Sequence, residues 1–397
     1  MSSPMFLPLV SPVAPVYIHI PFCQSKCPYC DFYSLARGVT PVPDAYVAAL
    51  CLDIKRHLHS EAPLSSVFIG GGTPSLLRVE QLRRIVGALN TAAGFAAGLE
   101  FSIEVNPGSA DATWLAEVNS LGVNRLSIGV QSFQDEALTL LGRTHTGAEA
   151  QACVEAARRG GFDNINVDMM FALPRTLNRG HRRNLQQADQ TCIARLGPEH
   201  VSVYGLTVEA GTPFAAQMEH GELDECEEEE FAGQFMAWHR MLSGHGYTHY
   251  EISNYAKPGR ECRHNMAYWQ RQPCYAFGAG AHGFSAAGFG VRYACEADVP
   301  TYIAAVTTGE NPRREVERFC AEQAMAEWVY LRLRTADGVD EAEFRSLFGL
   351  EFKRVYAPAI CSCGSALCSV AGRWFFPPEV WLLYNHHIKN FLCPPCA

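Results

Sequence analysis

Six short runs in this sequence are apolar almost throughout: Val16–Phe22, Ser66–Gly71, Phe101–Val105, Arg125–Val130, Asn164–Met170 and His200–Leu206. Near-continuous apolar runs of this length are expected of strands buried on both faces of a parallel sheet. The intervals between them carry helical periodicity, as in Asp44–Leu58 and Ala148–Arg159. Strand and helix in steady alternation predict βα units, each helix crossing over one face of the sheet. A closed barrel of this type needs eight such units, and only six are present. The expected fold is therefore α/β, an incomplete parallel (β/α)6 barrel with a smaller, mainly helical C-terminal domain.

The 397 residues leave room for that second unit. Residues 1–15 read as an N-terminal tail, residues 16–230 as the barrel core, and residues 231–310 as a segment packing on it. Residues 311–397 read as a small, winged-helix-like domain. Phe231–Leu242, Arg318–Arg334 and Asp340–Phe348 are helical in pattern, and Tyr268–Tyr293 is rich in glycine and aromatic residues. The acidic stretch Glu219–Glu230 reads as a solvated helix start or loop. The net charge of −9 argues against a broad nucleic-acid surface. No uninterrupted apolar run reaches the ~18 residues of a transmembrane span. Sixteen cysteines in so long a chain, with no basic n-region ahead of the Pro-broken start, suggest free thiols in a reducing cytoplasm rather than a disulfide scaffold.

Three of those cysteines, Cys23, Cys27 and Cys30, follow the first apolar run with the spacing C-x3-C-x2-C. Three thiolates this close can hold a [4Fe–4S] cluster and leave one iron without a protein ligand, open to a small molecule. Zinc is the alternative. Structural zinc takes four ligands, usually from two paired knuckles. No second C-x2-C lies nearby, and Cys393-Pro-Pro-Cys396 is remote. Lys26 and the backbone N–H groups of the loop are candidates for lowering the thiolate pKa values and donating to cluster sulfurs.

Other candidates fall at the ends of the later runs, where parallel barrels gather their active sites. Gly70-Gly71-Gly72-Thr73-Pro74 closes the second run. It is either a plain tight turn or a place where the backbone approaches a ligand. Glu104, Gln131 and Asp168 interrupt or end the third, fourth and fifth runs. A carboxylate in an apolar strand is costly to bury without a partner. One such residue is commonly a satisfied structural group, whereas three on successive strands favour a polar ligand site. Arg143 is placed to pair with a ligand carboxylate.

The cysteine spacing, with the aromatic Tyr29 before the last cysteine, resembles the radical S-adenosylmethionine (SAM) superfamily. Residues 16–285 resemble its coproporphyrinogen-oxidase-like branch, on the motifs Tyr17–Phe22, Gly70–Leu76, Glu104–Gly108, Asn124–Phe133 and Gly205–Thr207. The resemblance implies cluster ligation by Cys23, Cys27 and Cys30, and chelation of SAM by the open iron. It implies cofactor-binding roles for Tyr17, Tyr29, Gly71, Gly72, Thr73, Glu104, Gln131, Arg143 and Asp168. It assigns no catalytic residue.

Within the branch, the oxidases carry a fourth cysteine two residues after the third, where this chain has Phe32, and a longer N-terminal segment. Both differences point to the heme-chaperone subgroup. His264-Asn-Met-Ala-Tyr-Trp269 resembles that subgroup's heme-binding motif. A helix there would put His264 and Tyr268 on one face. His264 is the first candidate in the heme site, with Cys262 and His282 behind it. Gly278–Gly283 reads as close backbone packing over the barrel mouth. The implied function is binding of heme, a [4Fe–4S] cluster and SAM, with delivery of heme to acceptor hemoproteins. An electron donor such as a flavodoxin or ferredoxin is implied, and a homodimer is compatible. Oxygen-independent oxidation of coproporphyrinogen III is the enzymatic alternative. A heme-binding protein with a purely structural cluster is another.

The chain departs from the family pattern in three places. Ala172 stands where glycine is usual, and a positive φ there would be strained. Arg175–Asn184 is unusually basic, and Cys361–Ala371 replaces an expected charged helix. Cys361, Cys363, Cys368, Cys393 and Cys396 crowd the tail, which admits a second metal site.

Overall fold

The computed structural model describes residues 14–36, 38 and 41–392. Each apolar run forms a strand: β1 (Ala14–Ile20), β2 (Leu64–Gly71), β3 (Phe95–Val105), β4 (Arg125–Gln131), β5 (Ile165–Phe171) and β6 (His200–Gly205). They lie side by side in chain order and all pairings are parallel. Helices α1 (Asp44–His57), α2 (Val79–Ala93), α3 (Ala112–Ser120), α4 (Gly147–Arg159) and α5 (Arg179–Leu196) connect them. Local signals set the helix ends. Thr146 and Glu149 form a reciprocal capping box at the start of α4. Gly197, at φ +54°, ends α5 in the left-handed conformation.

The strands are less uniformly apolar than the expectation for two dry faces. One set of alternate residues, including Val16, Ile18, Val67, Ile69, Ile103, Leu126, Ile128, Val167 and Val201, is buried in the main hydrophobic core. The other set, including Tyr17, Phe68, Glu104, Arg125, Ser127, Asn166, Asp168 and Ser202, lines an internal cavity. With a side-chain period of two, the inner face can be polar while the outer one is packed. This alternation was hidden by the strands' overall apolarity.

Three further short strands widen the sheet to nine. After α6 (Glu228–Gly244), β7 (Thr248–Glu251) and β8 (Asn254–Ala256) add antiparallel beside β6. After α7 (Arg263–Trp269), β9 (Tyr275–Phe277) adds parallel beside β1. The sheet therefore runs from β9 at one edge to β7 at the other and stays open. Gly278 follows β9 with φ +98°, and a Cβ there would lie 2.4 Å from the His19 carbonyl oxygen. The glycine segment thus packs closely, as expected, but beside β1 at the sheet edge.

Next come a three-stranded sheet of β10 (His282–Ser285), β11 (Val291–Cys295) and β12 (Arg313–Arg318), and helix α8 (Val299–Thr308). Buried Asp53 of α1 accepts from Tyr302 of α8 and Arg313 of β12, tying these elements to the main core. A separate aromatic core holds Trp328, Phe344, Phe352, Tyr356 and Phe391. Helices α9 (Ala321–Leu333) and α10 (Glu341–Phe348) contribute to it. They are accompanied by a three-stranded sheet of β13 (Val339–Asp340), β14 (Cys368–Val370) and β15 (Arg373–Phe375).

Ala172 has φ +59°, the strained backbone that its place in the sequence foreshadowed. Glu230 corrects the solvated reading of the acidic stretch: it is buried and forms a two-pronged ion pair with Arg182, itself part of the basic segment. Each charge answers the other, which is what burial requires. In the tail, Ala357–Cys363 is helical, with Cys361 exposed and Cys363 buried. Cys393 and Cys396 lie outside the described residues. Among the described residues, no helix is long and apolar enough to cross a membrane.

A candidate cofactor cavity and its neighbour

The cluster cysteines, every residue proposed above for SAM, and His264 line one cavity of about 540 Å³ at the C-terminal ends of the strands, whereas the secondary heme candidates Cys262 and His282 do not. Its rim is the cysteine loop. Cys23 is buried, Cys27 and Cys30 are partly so, and the Cys30 amide donates to the Cys27 carbonyl at 3.1 Å. The glycine turn packs directly on this loop. Gly72 N–H donates to Ile20 O at 2.9 Å, and Thr73 N–H to Phe22 O at 2.8 Å. A Cβ at Gly72 would lie 2.6 Å from that Phe22 oxygen, and one at Gly71 would lie 2.6 Å from the His19 ring. The glycines are therefore needed for close approach, beyond the demands of a turn.

Glu104 accepts from Gly71 N–H at 3.0 Å. Burial, reinforced by nearby Asp168, pushes its carboxyl up to about 8. Burial also raises Asp168, against hydrogen bonds from Asn166, Ser202 and Ser127 and the pull of Arg125. Deeper in the barrel, Asn166 donates to Ser127 Oγ at 2.7 Å and accepts from Ser202 at 3.1 Å. His200 bonds Asn166 through Nδ1 and the Tyr250 hydroxyl through Nε2, both at 2.7 Å. Arg143 donates to Asn106 Oδ1 at 2.9 Å, to Gly129 O at 2.7 Å and to Cys27 Sγ at 3.4 Å. Asn106 in turn donates to Thr73 Oγ1 at 3.1 Å. This chain of bonds joins the ends of β2, β3 and β4 to the cysteine loop. Lys26 donates to Phe32 O at 3.2 Å, and burial raises the Cys30 thiol despite Lys26 nearby. Lys26 and a backbone hydrogen bond do pull the Cys30 thiol down, as expected, but burial outweighs them.

The donor set fits a cluster with SAM. Three thiols line one side. Gln131 sits at φ +64° with its buried Oε1 unpartnered. A buried acceptor without a partner is expensive unless a ligand supplies the donor. Among the described residues no three His, Cys, Asp or Glu groups are arranged to hold a single metal ion. Thiolates of a [4Fe–4S] cluster bind different irons and have no need to converge on one point.

His264 is 1% exposed and stands at the inner side of this cavity. Glu100 of β3 accepts from the backbone N–H groups of Arg263 and His264, each at 3.0 Å, and so caps α7. The His264 ring bonds Ser66 Oγ at 3.0 Å through Nδ1 and Tyr268 OH at 3.2 Å through Nε2. It shares a helix face with Tyr268, as the spacing predicts. Burial lowers its pKa to about 3, keeping the ring neutral.

Residues 17–179 match the Radical SAM superfamily. The heme chaperone HemW of Bacillus subtilis is 37% identical over 337 residues, covering 84% of this chain and 86% of that protein. The heme chaperone HemW of Lactococcus lactis is 33% identical over 344 residues, covering 87% of each. This chain belongs to the HemW family. Radical SAM proteins carry a [4Fe–4S] cluster that binds SAM, so family membership implies both cofactors here. This chain also shares its fold with the coproporphyrinogen III oxidase HemN of Escherichia coli. The TM-score is 0.80 at 21% identity, over 96% of this chain and 91% of that one.

A second cavity, of about 580 Å³, adjoins the first in this HemW family member. Tyr17, Asp31, Phe32 and Tyr268 line both. Trp269, His282, Phe284 and Arg292 belong to the second alone, along with Glu327 and Leu331 of α9. The motif helix α7 therefore faces two ways, His264 toward the first cavity and Trp269 toward the second. Sequence reasoning passed over Arg125, Asn166, Ser202 and Phe284. The first three had a readable signal, a polar residue at every second position of an apolar strand.

Proposed function

We propose that this chain is a cytoplasmic heme chaperone that binds heme beside a [4Fe–4S] cluster and SAM and passes the heme to acceptor hemoproteins. The observation that carries this reading is the position of α7. Its His264–Trp269 segment forms the wall between the cofactor cavity and a second cavity rich in aromatic side chains.

In this proposal Cys23, Cys27 and Cys30 hold three irons of the cluster. The fourth iron supplies the site where SAM is chelated. Gly71, Gly72 and Thr73 bring backbone close to the methionyl end of SAM, and Glu104 supplies a carboxylate for its ammonium. Gln131, with its unpartnered oxygen, offers an acceptor, and Asp168 a second acidic group. Arg143 fixes the cysteine loop to the strand ends and stands near the ligand's carboxylate. Tyr17 and Tyr29 exclude water from the two sides. An electron donor such as a flavodoxin or ferredoxin, and a homodimer, belong to the same reading.

Anaerobic reconstitution of the full chain with iron, sulfide, SAM and heme tests it. The expected outcome is bound heme that transfers to an apo-hemoprotein, with coproporphyrinogen III left unchanged. Formation of protoporphyrinogen IX would overturn the chaperone reading in favour of an oxidase.

A further inference from the structure

Three histidines line the two cavities, and they differ in what their ring nitrogens do. Both nitrogens of His264 bond hydroxyl groups, those of Ser66 and Tyr268. His19 is also fully engaged: its Nε2–H donates to Tyr33 O and its Nδ1 accepts from Tyr17 OH, both at 2.9 Å. To ligate a metal, either ring would first have to give up a buried hydrogen bond. His282 opens strand β10, is exposed, and lines only the second cavity. Among the described residues nothing hydrogen-bonds its ring, so an imidazole lone pair is free on the cavity side.

The remaining walls suit a flat, largely apolar ligand with charged edges. Phe32, Tyr268, Trp269 and Phe284 supply aromatic faces. Phe32 is 67% exposed, so its ring face is open to a ligand in the cavity. The volume of about 580 Å³ falls within the ~300–1,000 Å³ typical of sites for cofactor-sized ligands. Arg292 stands at the rim, partly exposed, sharing Glu327 with Arg271 and lying 4.0 Å from Glu317. Its guanidinium can turn to a ligand carboxylate.

We infer that the second cavity is the heme site and that His282, rather than His264, ligates the iron. The inference rests on the heme-binding reading above and locates it. A neutral imidazole with a free nitrogen is a suitable heme ligand. The porphyrin then lies between Phe32, Trp269 and Phe284, with a propionate at Arg292. His264 becomes a positioning residue, whose ring holds the Tyr268 hydroxyl in the wall between the cavities.

Titration of ferric heme into the full chain, followed by Soret absorbance and electron paramagnetic resonance, distinguishes the two histidines. The wild type should show an imidazole-ligated spectrum. His282→Ala should lose that signature and bind heme at least about tenfold more weakly, and free imidazole should restore the signature. His282→Met should bind heme with a thioether-type spectrum. His264→Ala should keep the imidazole signature. An unchanged spectrum in both His282 variants, or its loss in His264→Ala alone, overturns the inference while leaving the chaperone reading standing. A wild type that takes up no heme overturns both.

Discussion

The two cavities share a wall but are built by different means. The first is framed by one sheet, with its polar side chains projecting from β1 to β6 and anchored to one another. Backbone hydrogen bonds fasten the glycine turn to the cysteine loop, and no room remains for an added Cβ. The second cavity is a gap between units. Its walls come from the cysteine loop, the end of α7, β10 and β11, and from Glu327 and Leu331 of α9. Neighbouring residues of that same helix, Trp328, Val329 and Leu333, belong to the C-terminal aromatic core. A small shift of the C-terminal unit therefore reshapes the second cavity and leaves the first intact. A site that must hold a reactive cofactor is set in a rigid sheet, and a site that must release its cargo lies on a seam.

The contrast can be tested by perturbing the first cavity alone. The largest effect is expected from Glu104. Its carboxyl is raised from 4.5 to about 8, so between those values the native apo-protein holds a proton that the unfolded chain has released. Stability is then greatest below about pH 4.5, as far as this group is concerned, and falls as pH rises toward 8. The effect is expected to be a few kcal/mol over that range, up to about 1.4 kcal/mol for each pH unit crossed. Glu104→Gln, which keeps an acceptor for Gly71 N–H, should flatten this decline in urea-unfolding midpoints measured at about pH 5 and about pH 8. An equally steep decline in the variant would assign it to another group.

Gly72→Ala comes next. The methyl group would press on the Phe22 carbonyl at 2.6 Å, costing about 1–3 kcal/mol of stability through displacement of the cysteine loop. SAM affinity by calorimetry on the reconstituted protein should fall by a similar free energy, and heme affinity by a smaller one, because the loop also walls the second cavity through Asp31 and Phe32. Equal losses of both ligands would show the cavities to be one mechanical unit. The smallest effect belongs to Ala172→Gly. It relieves a left-handed backbone at φ +59° and should stabilise the chain by about 0.5–1 kcal/mol, net of the added freedom of the unfolded state. A lower urea midpoint would mean that the alanine methyl contributes more packing than strain.

Much of the first cavity was legible because its ingredients repeat with the chain's own period. Strands β1 to β6 declared themselves by length and apolarity, within about two residues of their observed ends except at the start of β3, which begins six residues before the apolar run. The cysteines, the glycine turn and the residues at strand ends share one cavity because parallel strands deliver all their C-terminal ends to the same place. Ala172 showed through only against the resembled family, in which glycine is usual at this position, and its φ of +59° gives the reason. Strands β7, β8 and β9 were not legible: at three or four residues each, they carry too little periodicity to stand out. The burial of Glu230 was invisible for a different reason. Its partner Arg182 lies 48 residues away, and nothing local distinguishes a paired acid from a solvated one. The second cavity was hidden for the same reason, since Phe32, Trp269, His282 and Leu331 meet only through the tertiary fold.

The shared wall of Tyr17, Asp31, Phe32 and Tyr268 has a thermodynamic consequence. Occupants of the two cavities press on opposite sides of the same side chains, so the two binding equilibria are linked through them. Linkage is reciprocal: whatever factor SAM imposes on heme affinity, heme must impose on SAM affinity. A cargo site next to a cofactor site can thus report its own filling. The reading appears as a shift in the SAM dissociation constant, with no direct bond between the two ligands.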